Sequence, residues 1–464
     1  MTRKSSSSSS DLPLSGFTYS RALFQQMVED ALAEAKKVGA SDAAVEVSEG
    51  GGLSVSVRLG ELENVERNRD KSLGVTVYCG QRRGSASTSD FSPAAMRQTV
   101  RAAFDIARFT AEDPAAGLPD ERDQVSATQA RRDLDLFHPW SIDAAQAAEL
   151  ARACEEAALS TDRRIANSEG AGVSAQQSHF WSGNSRGFRG GYPTSRHFIS
   201  VAPIAGKGKD MQRDAWYSAK RDPRDLASVQ AVGRYAAERA LSRLKARRVP
   251  TCEVPVLFEA PVAAGLLGSF VQAVSGGSLY RKATFLLDSL GTQVFPAHID
   301  ILEDPFVLKA RGSAPFDEEG VTTRRRQIVK AGVVQGYFLS SYSARKLGMR
   351  TTGNAGGSHH LTLTSHLTDP SDTLEAMIRK MGRGLLVTEL MGQGVNGVTG
   401  DYSRGASGFW VEGGAIAYPV EEITIAANLK DMLRGIAAVG ADTYESGARC
   451  MGSVLLDRMK VAGS

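Results

Sequence analysis

The sequence predicts an α+β fold, with an N-terminal antiparallel sheet covered by helices and a C-terminal strand-rich domain that is barrel-like or a curved sheet. Short alternating or apolar runs stand between glycines in both halves, as antiparallel strands do, while most of the long helices are predicted in the first part. The 464 residues are too many for one ordinary core. We therefore expect a disordered serine-rich tail (1–16), an α+β domain (17–248) and a strand-rich domain (249–464).

The first half opens with an amphipathic helix at 20–38, which Lys36 and Lys37 close and Gly39 stops. A helix is also expected at 222–245, because Asp222 is a good N-cap and Pro223 fits the first turn. Two more helices are predicted at 93–108 and 142–159. The predicted strands are 43–47, 53–59, 62–67, 73–78, 84–88, 172–179 and 196–203.

The second half is dominated by strands that glycines separate. Hairpin turns such as Gly413-Gly414 favour a barrel or a strongly curved sheet. The predicted strands are 252–257, 299–302, 325–330, 333–339, 361–364, 384–389, 408–412 and 415–420, and the predicted helices are 259–274, 343–347, 372–381 and 428–433.

Composition excludes several classes of function. The chain carries 55 basic and 52 acidic residues, and the short Arg324-Arg325-Arg326 cluster is better explained as a solvated strand end than as a nucleic-acid site. The four cysteines show no C-x-x-C spacing, so we expect neither disulfides nor a zinc knuckle and place the protein in a reducing cytoplasm. No apolar stretch approaches the roughly 20 residues that span a membrane.

An ordered set of motifs runs along the chain: LGVTVY at 73–78, GSAST at 84–88, GVTTR at 320–324, GVVQGYFL at 332–339, GNAGGSHH at 353–360, and GASGFW at 405–410 with the stretch 413–422 after it. Each motif is weak alone. Together they resemble the TldD/PmbA metallopeptidase family, over nearly the whole chain after the serine tract, and within it the PmbA/TldE-like subunits.

The resemblance bears on residues 258–263. Metal-binding members of the family carry H-E-x-x-x-H here, and imidazole nitrogens hold Zn²⁺ while leaving a position for the attacking water. This chain has Phe258 and Ala263 at the histidine positions and keeps Glu259 between them. A carboxylate without a polarised water is a poor catalyst, so we interpret Glu259 as a helix N-terminal acid. We expect no catalytic residue and no metal in this chain.

The resemblance implies a heterodimeric cytosolic zinc peptidase that degrades unfolded or flexible peptides, in which a TldD-like partner supplies the zinc. This chain would then help substrate capture and assembly. Strand addition to a sheet edge captures extended peptides irrespective of sequence, and the glycine-rich second half is the expected edge. Homodimer formation by the isolated chain stays open.

A glycine turn offers a second candidate site, for peptide binding, through Gly353, Asn354, Gly356, Gly357 and His359. A tight turn is the simpler interpretation; the alternative is that exposed N–H groups hold a carboxylate or phosphate. His359 and His360 enter a strand and should point to opposite faces, so they cannot chelate one ion together.

The rival hypothesis is an active hydrolase that uses Glu259, Cys450 or a histidine in an arrangement hidden from the sequence. Cys450 lies in the region where TldD-like subunits place a metal-ligating cysteine, although no motif surrounds it. A buried or idle thiol is the simpler interpretation of Cys450.

Overall fold

The computed structural model describes residues 14–463, which form two compact units. Unit 1 comprises 14–205, 213–240 and 315–322, and unit 2 comprises 206–212, 241–314 and 323–463. The domain boundary at 248 stays a prediction. Most of the predicted tail, residues 1–13, lies outside the described residues.

Within the described residues, no helix has both the length and the apolar character needed to cross a lipid bilayer.

Unit 1 is a large antiparallel sheet with helices packed against it. The strands are β1 (Asp42–Arg58), β2 (Glu61–Cys79), β3 (Arg82–Thr88), β4 (Ile165–Asn184), β5 (Arg189–Gly190), β6 (Pro193–Ala205), β7 (Gln212–Arg213), which falls at the division between the units, and β8 (Trp216–Lys220). The helices are α1 (Arg21–Lys37), α2 (Pro93–Phe109), α3 (Ala127–Ala130), α4 (Ala144–Leu159) and α5 (Val229–Ser242). The strand order is β3-β2-β1-β4-β6, with β5 beside β4 and β8 beside β6.

The helix ends follow the sequence signals. Ser20 caps α1 by accepting from the backbone N of Leu23 at 3.2 Å, and Lys36 and Lys37 lie in the last turn. Against β3, helix α2 packs so closely that a Cβ on Gly84 would stand 2.1 Å from the carbonyl oxygen of Ala103. Only glycine permits this approach.

Two predicted strand pairs are single long strands. Residues 43–47 and 53–58 lie in β1, which ends before the turn at Leu59, and 62–67 and 73–78 lie in β2. The intervening glycines form no turn: a Cβ on Gly52 would meet the carbonyl oxygen of Ala175 on β4 at 2.3 Å. Here glycine marks close packing of backbones, which the sequence pattern does not distinguish from a turn.

A buried, hydrogen-bonded pair ties the N-terminal segment to this sheet. Glu49 and His179 are both buried and lie 3.3 Å apart, and the carboxylate of Glu49 also accepts from the backbone N–H groups of Thr18 and Tyr19. The ring of His179 stacks on Phe24 of α1, with centroids 4.4 Å apart. Burial would raise the pKa of Glu49, but these hydrogen bonds lower it overall.

Unit 2 contains a barrel and a second sheet. Its strands are β9 (Cys252–Phe258), β10 (Ile299–Glu303), β11 (Arg326–Lys330), β12 (Val333–Val334), β13 (Leu361–Ser365), β14 (Gly384–Met391), β15 (Asp401–Glu412), β16 (Ala415–Asn428), β17 (Ile436–Val439), β18 (Tyr444–Ser446), β19 (Arg449–Met451) and β20 (Val454–Ala462). The helices are α6 (Ala260–Ala273), α7 (Gly276–Tyr280), α8 (Ser341–Lys346), α9 (Leu374–Met381) and α10 (Leu429–Arg434).

The strands β16-β15-β14-β9-β20 form a closed barrel, because β16 also pairs with β20. The second sheet has the order β12-β11-β10-β13-β19-β18. The prediction of an α+β fold with a barrel-like C-terminal part is confirmed.

Several predicted elements were wrong in extent. The strand expected at 333–339 is only Val333–Val334. The backbone N–H of Phe338 donates to the carbonyl oxygen of Val274, and its carbonyl oxygen accepts from the N–H of Gly276, so Phe338 bonds to the chain just after α6 and not to a neighbouring strand. The helix expected at 222–245 is a 3-10 turn at Pro223–Asp225 and then α5. The four strands β17 to β20 were missed; β18 and β19 have three residues each, too few to show a period.

Candidate functional site

The position of the first histidine of the family's motif lies in the apolar core of unit 2. Phe258 ends β9, where it pairs with Val387 of β14 on one side and Val454 of β20 on the other. Its side chain is 0% exposed and belongs to the main apolar core of unit 2. A ring in this position packs the barrel and faces no solvent.

The second histidine position is equally enclosed. Ala263 is 0% exposed in the first turns of α6. Glu259 is the N-cap residue of α6, as the sequence predicted, but its side chain makes no capping bond. The backbone does this work: Glu259 N–H donates to Val387 at 3.0 Å, and Glu259 C=O accepts from Val262 and Ala263.

The region of Cys450 lies beside the same helix. Strands β18 and β19 pack next to α6, and a Cβ on Gly268 of α6 would stand 3.0 Å from the guanidinium of Arg449. Burial raises the pKa of the neighbouring Cys450 thiol, and Glu445 on β18 raises it further. A raised pKa leaves little thiolate, so Cys450 is not an activated nucleophile in this environment.

These residues do not fit a zinc ion. Carbon side chains occupy the two histidine positions, and residues 14–463 contain no group of three His, Cys, Asp or Glu side chains placed to hold a metal. Zinc needs nitrogen, sulfur or oxygen donors, almost always four in a structural site and three plus water in a catalytic one. No catalytic step through a metal follows from this chain's own residues.

The glycine turn is built around a buried charge network. Glu303, 0% exposed at the end of β10, accepts from Arg326 on one carboxylate oxygen, with Nε at 2.9 Å and Nη2 at 2.6 Å. Its other oxygen accepts from Nδ2 of Asn354 and the backbone N of His359, both at 2.8 Å. The network holds the two ends of the turn together.

The turn is also satisfied from within. Asn354 Nδ2 donates to the carbonyl oxygen of Gly357 at 3.0 Å, and His359 Nε2 lies 2.7 Å from the carbonyl oxygen of Gly353. Gly353, Gly356 and Gly357 all have positive φ. These contacts account for the motif as a structural turn; peptide binding by Gly353, Asn354, Gly356, Gly357 and His359 stays a prediction.

The histidines near this turn diverge. The ring of His359 faces Gly353, whereas the ring of His360 lies 3.7 Å from Glu445 on β18. His366 is exposed. The structure therefore brings no two of them together.

Free sheet edges lie elsewhere than the sequence suggested. The barrel strands of unit 2 pair in a closed ring, and the edge strands β12 and β18 have two and three residues. In unit 1, β1 pairs with β2 along its length, but β3 covers only residues 73–79 of β2. Within the described residues, the outer edge of 61–72 thus has no strand partner.

The main feature of this region missed by sequence reasoning is the buried pair Glu303 and Arg326, which holds the glycine turn. Arg326 belongs to the basic cluster that was interpreted as solvated, yet its side chain is 18% exposed and paired with Glu303. A lone glutamate at a strand end gives no sequence signal of burial. The partner lies 23 residues away and meets it only through the pairing of β10 with β11.

Comparisons with known proteins agree with this architecture. Three family models match: PmbA/TldA metallopeptidase domain 1 at 43–107, the central domain at 137–244 and the C-terminal domain at 251–463. The chain is 50% identical to metalloprotease PmbA of Escherichia coli O157:H7 over 445 residues, covering 96% of this chain and 97% of that protein. It is 48% identical to a PmbA homologue of Haemophilus influenzae, covering 95% and 96%.

Two crystal structures share the fold. A protein from Bacteroides thetaiotaomicron, described as a modulator of DNA gyrase, superposes with a TM-score of 0.88 at 26% identity, covering 95% of this chain and 99% of that one. TldE from Thermococcus kodakarensis superposes with a TM-score of 0.80 at 19% identity, covering 94% and 100%, which shows the fold alone. On the family models and on the identity to PmbA proteins over almost its full length, this chain belongs to the PmbA/TldD metallopeptidase family.

Proposed function

We propose that this chain is the noncatalytic subunit of a cytoplasmic two-subunit zinc peptidase that degrades unfolded or flexible peptides. A TldD-like partner supplies the zinc, and this chain takes part in assembly and substrate capture. The observation that carries the proposal is the burial of Phe258 and Ala263, both 0% exposed, in the core of unit 2. The element that holds the metal in zinc-binding relatives is here a packing element.

Helix α6 supports the interpretation that the helix of the zinc site is kept as a structural element. Helix α6 runs from Ala260 to Ala273, and its apolar face belongs to the main core of unit 2. A chain that keeps this helix but lacks the two metal-binding histidines can preserve the surface that a partner recognises. It performs no metal chemistry itself.

Substrate capture has a structural candidate in the free edge of β2. Unpaired N–H and C=O groups along 61–72 can pair with an extended peptide whatever its sequence. Charged residues such as Glu63, Glu66 and Arg67 are exposed along this edge, and charge of this kind discourages sheet edges from joining each other.

Co-expression with a TldD-like protein tests the assembly and the division of labour. We expect the two chains to co-purify as one species, zinc to follow the partner, and cleavage of an unfolded peptide to require both chains. Stoichiometric zinc in this chain alone, lost in Cys450→Ala, would instead establish the rival active hydrolase. Full activity of the partner alone, or failure to associate, would remove the proposal.

The edge is tested in the same complex with Glu66→Pro and Arg67→Pro. In an antiparallel pair the N–H groups of successive residues alternate between the partner strand and the free edge, so one proline removes an outward donor and the other an inward one. The outward variant should keep its stability and lose cleavage, whereas the inward variant should lose stability. Normal cleavage by both, in a folded complex, would exclude this edge from capture.

A further inference from the structure

Unit 1 contains a cavity of about 750 Å³ to which neither the sequence nor the family resemblance assigns a role. Its walls come from the start of α1, the segment 124–137, the loop 187–193 and Pro315. Binding pockets for small ligands fall in the range of about 300–1,000 Å³. None of the candidate site residues discussed above lines it.

The charges that line the cavity are mainly positive, with four arginines against Asp133 and Asp135. Both aspartates are engaged: Asp135 lies 3.0 Å from His138, and Asp133 accepts from the backbone N of Asp135 at 2.8 Å. Arg189 is likewise engaged, since its Nη2 lies 2.9 Å from Glu29.

Arg21 and Arg131 are different. Within the described residues neither guanidinium forms an ion pair or donates a hydrogen bond. Arg21 lies over the ring of Trp181, 4.5 Å from the centroid, which fixes its position. Burial lowers the pKa of Arg21, and the positive charge of Arg131 lowers it further. Two cations that repel each other in one cavity favour an anion between them.

Gln124 adds a third donor to the same cavity. Its Nε2 atom is enclosed and has no hydrogen-bond partner among the residues that the structure describes. The backbone of Gln124 is held in place, because its carbonyl oxygen accepts from Thr322 Oγ1 at 3.1 Å. A buried donor without an acceptor is costly, and a ligand oxygen would satisfy it.

We propose that this cavity binds a carboxylate, with Arg21 and Arg131 as its cationic partners and Gln124 as a neutral donor. Guanidinium groups match the two oxygens of a carboxylate. Aromatic side chains on the same walls, Trp181, Phe188 and Tyr192, leave room for an apolar group attached to it. The carboxylate is the C-terminus of a short peptide or belongs to a small organic acid.

The test uses the full chain and a fluorophore-labelled Ala-Ala-Ala-Phe peptide, either with a free C-terminal carboxylate or as the amide, followed by fluorescence anisotropy. The free acid should bind at least about tenfold more tightly than the amide, as expected for a charged hydrogen bond. Arg131→Ala and Gln124→Glu should each weaken binding of the free-acid peptide by about tenfold. Arg97→Ala, which removes an exposed arginine from α2, is the matched control and should change nothing.

Competition separates the two sources of carboxylate. Displacement of the peptide by succinate at similar concentration would assign the site to small organic acids, and displacement only by peptide acids would assign it to peptide ends; both outcomes support a carboxylate site. Equal binding of acid and amide, equal effects of Arg131→Ala and Arg97→Ala in folded proteins, absence of binding, or equal competition by inorganic phosphate would overturn the proposal.

Discussion

Two adjacent arginines, Arg325 and Arg326, should contribute very differently to the stability of unit 2. Arg326 donates to Glu303, to the carbonyl oxygen of Tyr337 at 3.1 Å and to Asn354 Oδ1 at 2.9 Å. Among the residues that the structure describes, Arg325 pairs only with Asp304, at 3.4 Å, and its own side chain is 66% exposed. Arg326→Ala and Arg325→Ala therefore remove the same group from opposite environments.

The expected magnitudes follow from burial. Arg326→Ala leaves the enclosed carboxylate of Glu303 with only Asn354 and the backbone of His359 as donors, and breaking a buried pair in this way costs about 3–5 kcal/mol. Arg325→Ala should cost less than about 1 kcal/mol, because exposed pairs contribute little. For a unit of this size, about 2–4 °C of Tm per kcal/mol predicts a fall of roughly 6–20 °C for Arg326→Ala.

Differential scanning calorimetry resolves this difference, and hydrogen exchange shows where it arises. The chain has two units, so a single unfolding free energy is not well defined for it. Amides of residues 351–363 should exchange faster in Arg326→Ala while those of the unit 1 sheet are unchanged. Equal shifts of less than about 4 °C for both variants would refute the assignment of the turn's stability to the buried pair.

Three further outcomes are expected. Burial lowers the pKa of His179 below its ordinary 6.5, despite the hydrogen bond that its ring donates to Glu49, so the unfolded chain takes up the proton first. The stability contributed by neutral His179 is therefore complete above pH 6.5 and is lost as the pH falls through the lowered pKa of the folded state, and His179→Phe should flatten this part of a urea-midpoint profile against pH. Phe258→Ala should cost about 3–5 kcal/mol by emptying a core position, read as a lowered Tm, while Phe258→His with Ala263→His should bind no zinc by metal analysis and also melt earlier. Gly265→Ala should increase stability by about 0.5–1 kcal/mol, because a Cβ at this position of α6 meets open space, whereas Gly268→Ala should increase it less because Arg449 must move. Equal increases in Tm for the two variants would contradict the contact with Arg449.

The sequence predicted local structure well where short-range rules apply. Helix α1 was predicted from its apolar face with Lys36, Lys37 and Gly39 at its end, and α6 was placed to within a residue at each end from its apolar period. Local rules failed where distant contacts decide. The glycines at 50–52 look like a turn but lie inside β1. Strand β18 exists only because it pairs with β19, which in turn pairs with β13.

The sequence by itself determined the family and the loss of the metal ligands, since the identity of a side chain at Phe258 and Ala263 excludes zinc coordination wherever those residues lie. Only the tertiary structure decided that both positions are core and that Arg326 is buried against Glu303. It also decided that side-chain donors of Arg21, Arg131 and Gln124, without a hydrogen-bond partner in residues 14–463, line one cavity. Charge, burial and pairing are properties of residues far apart in the chain, and they are defined only when the sheet and barrel bring those residues together.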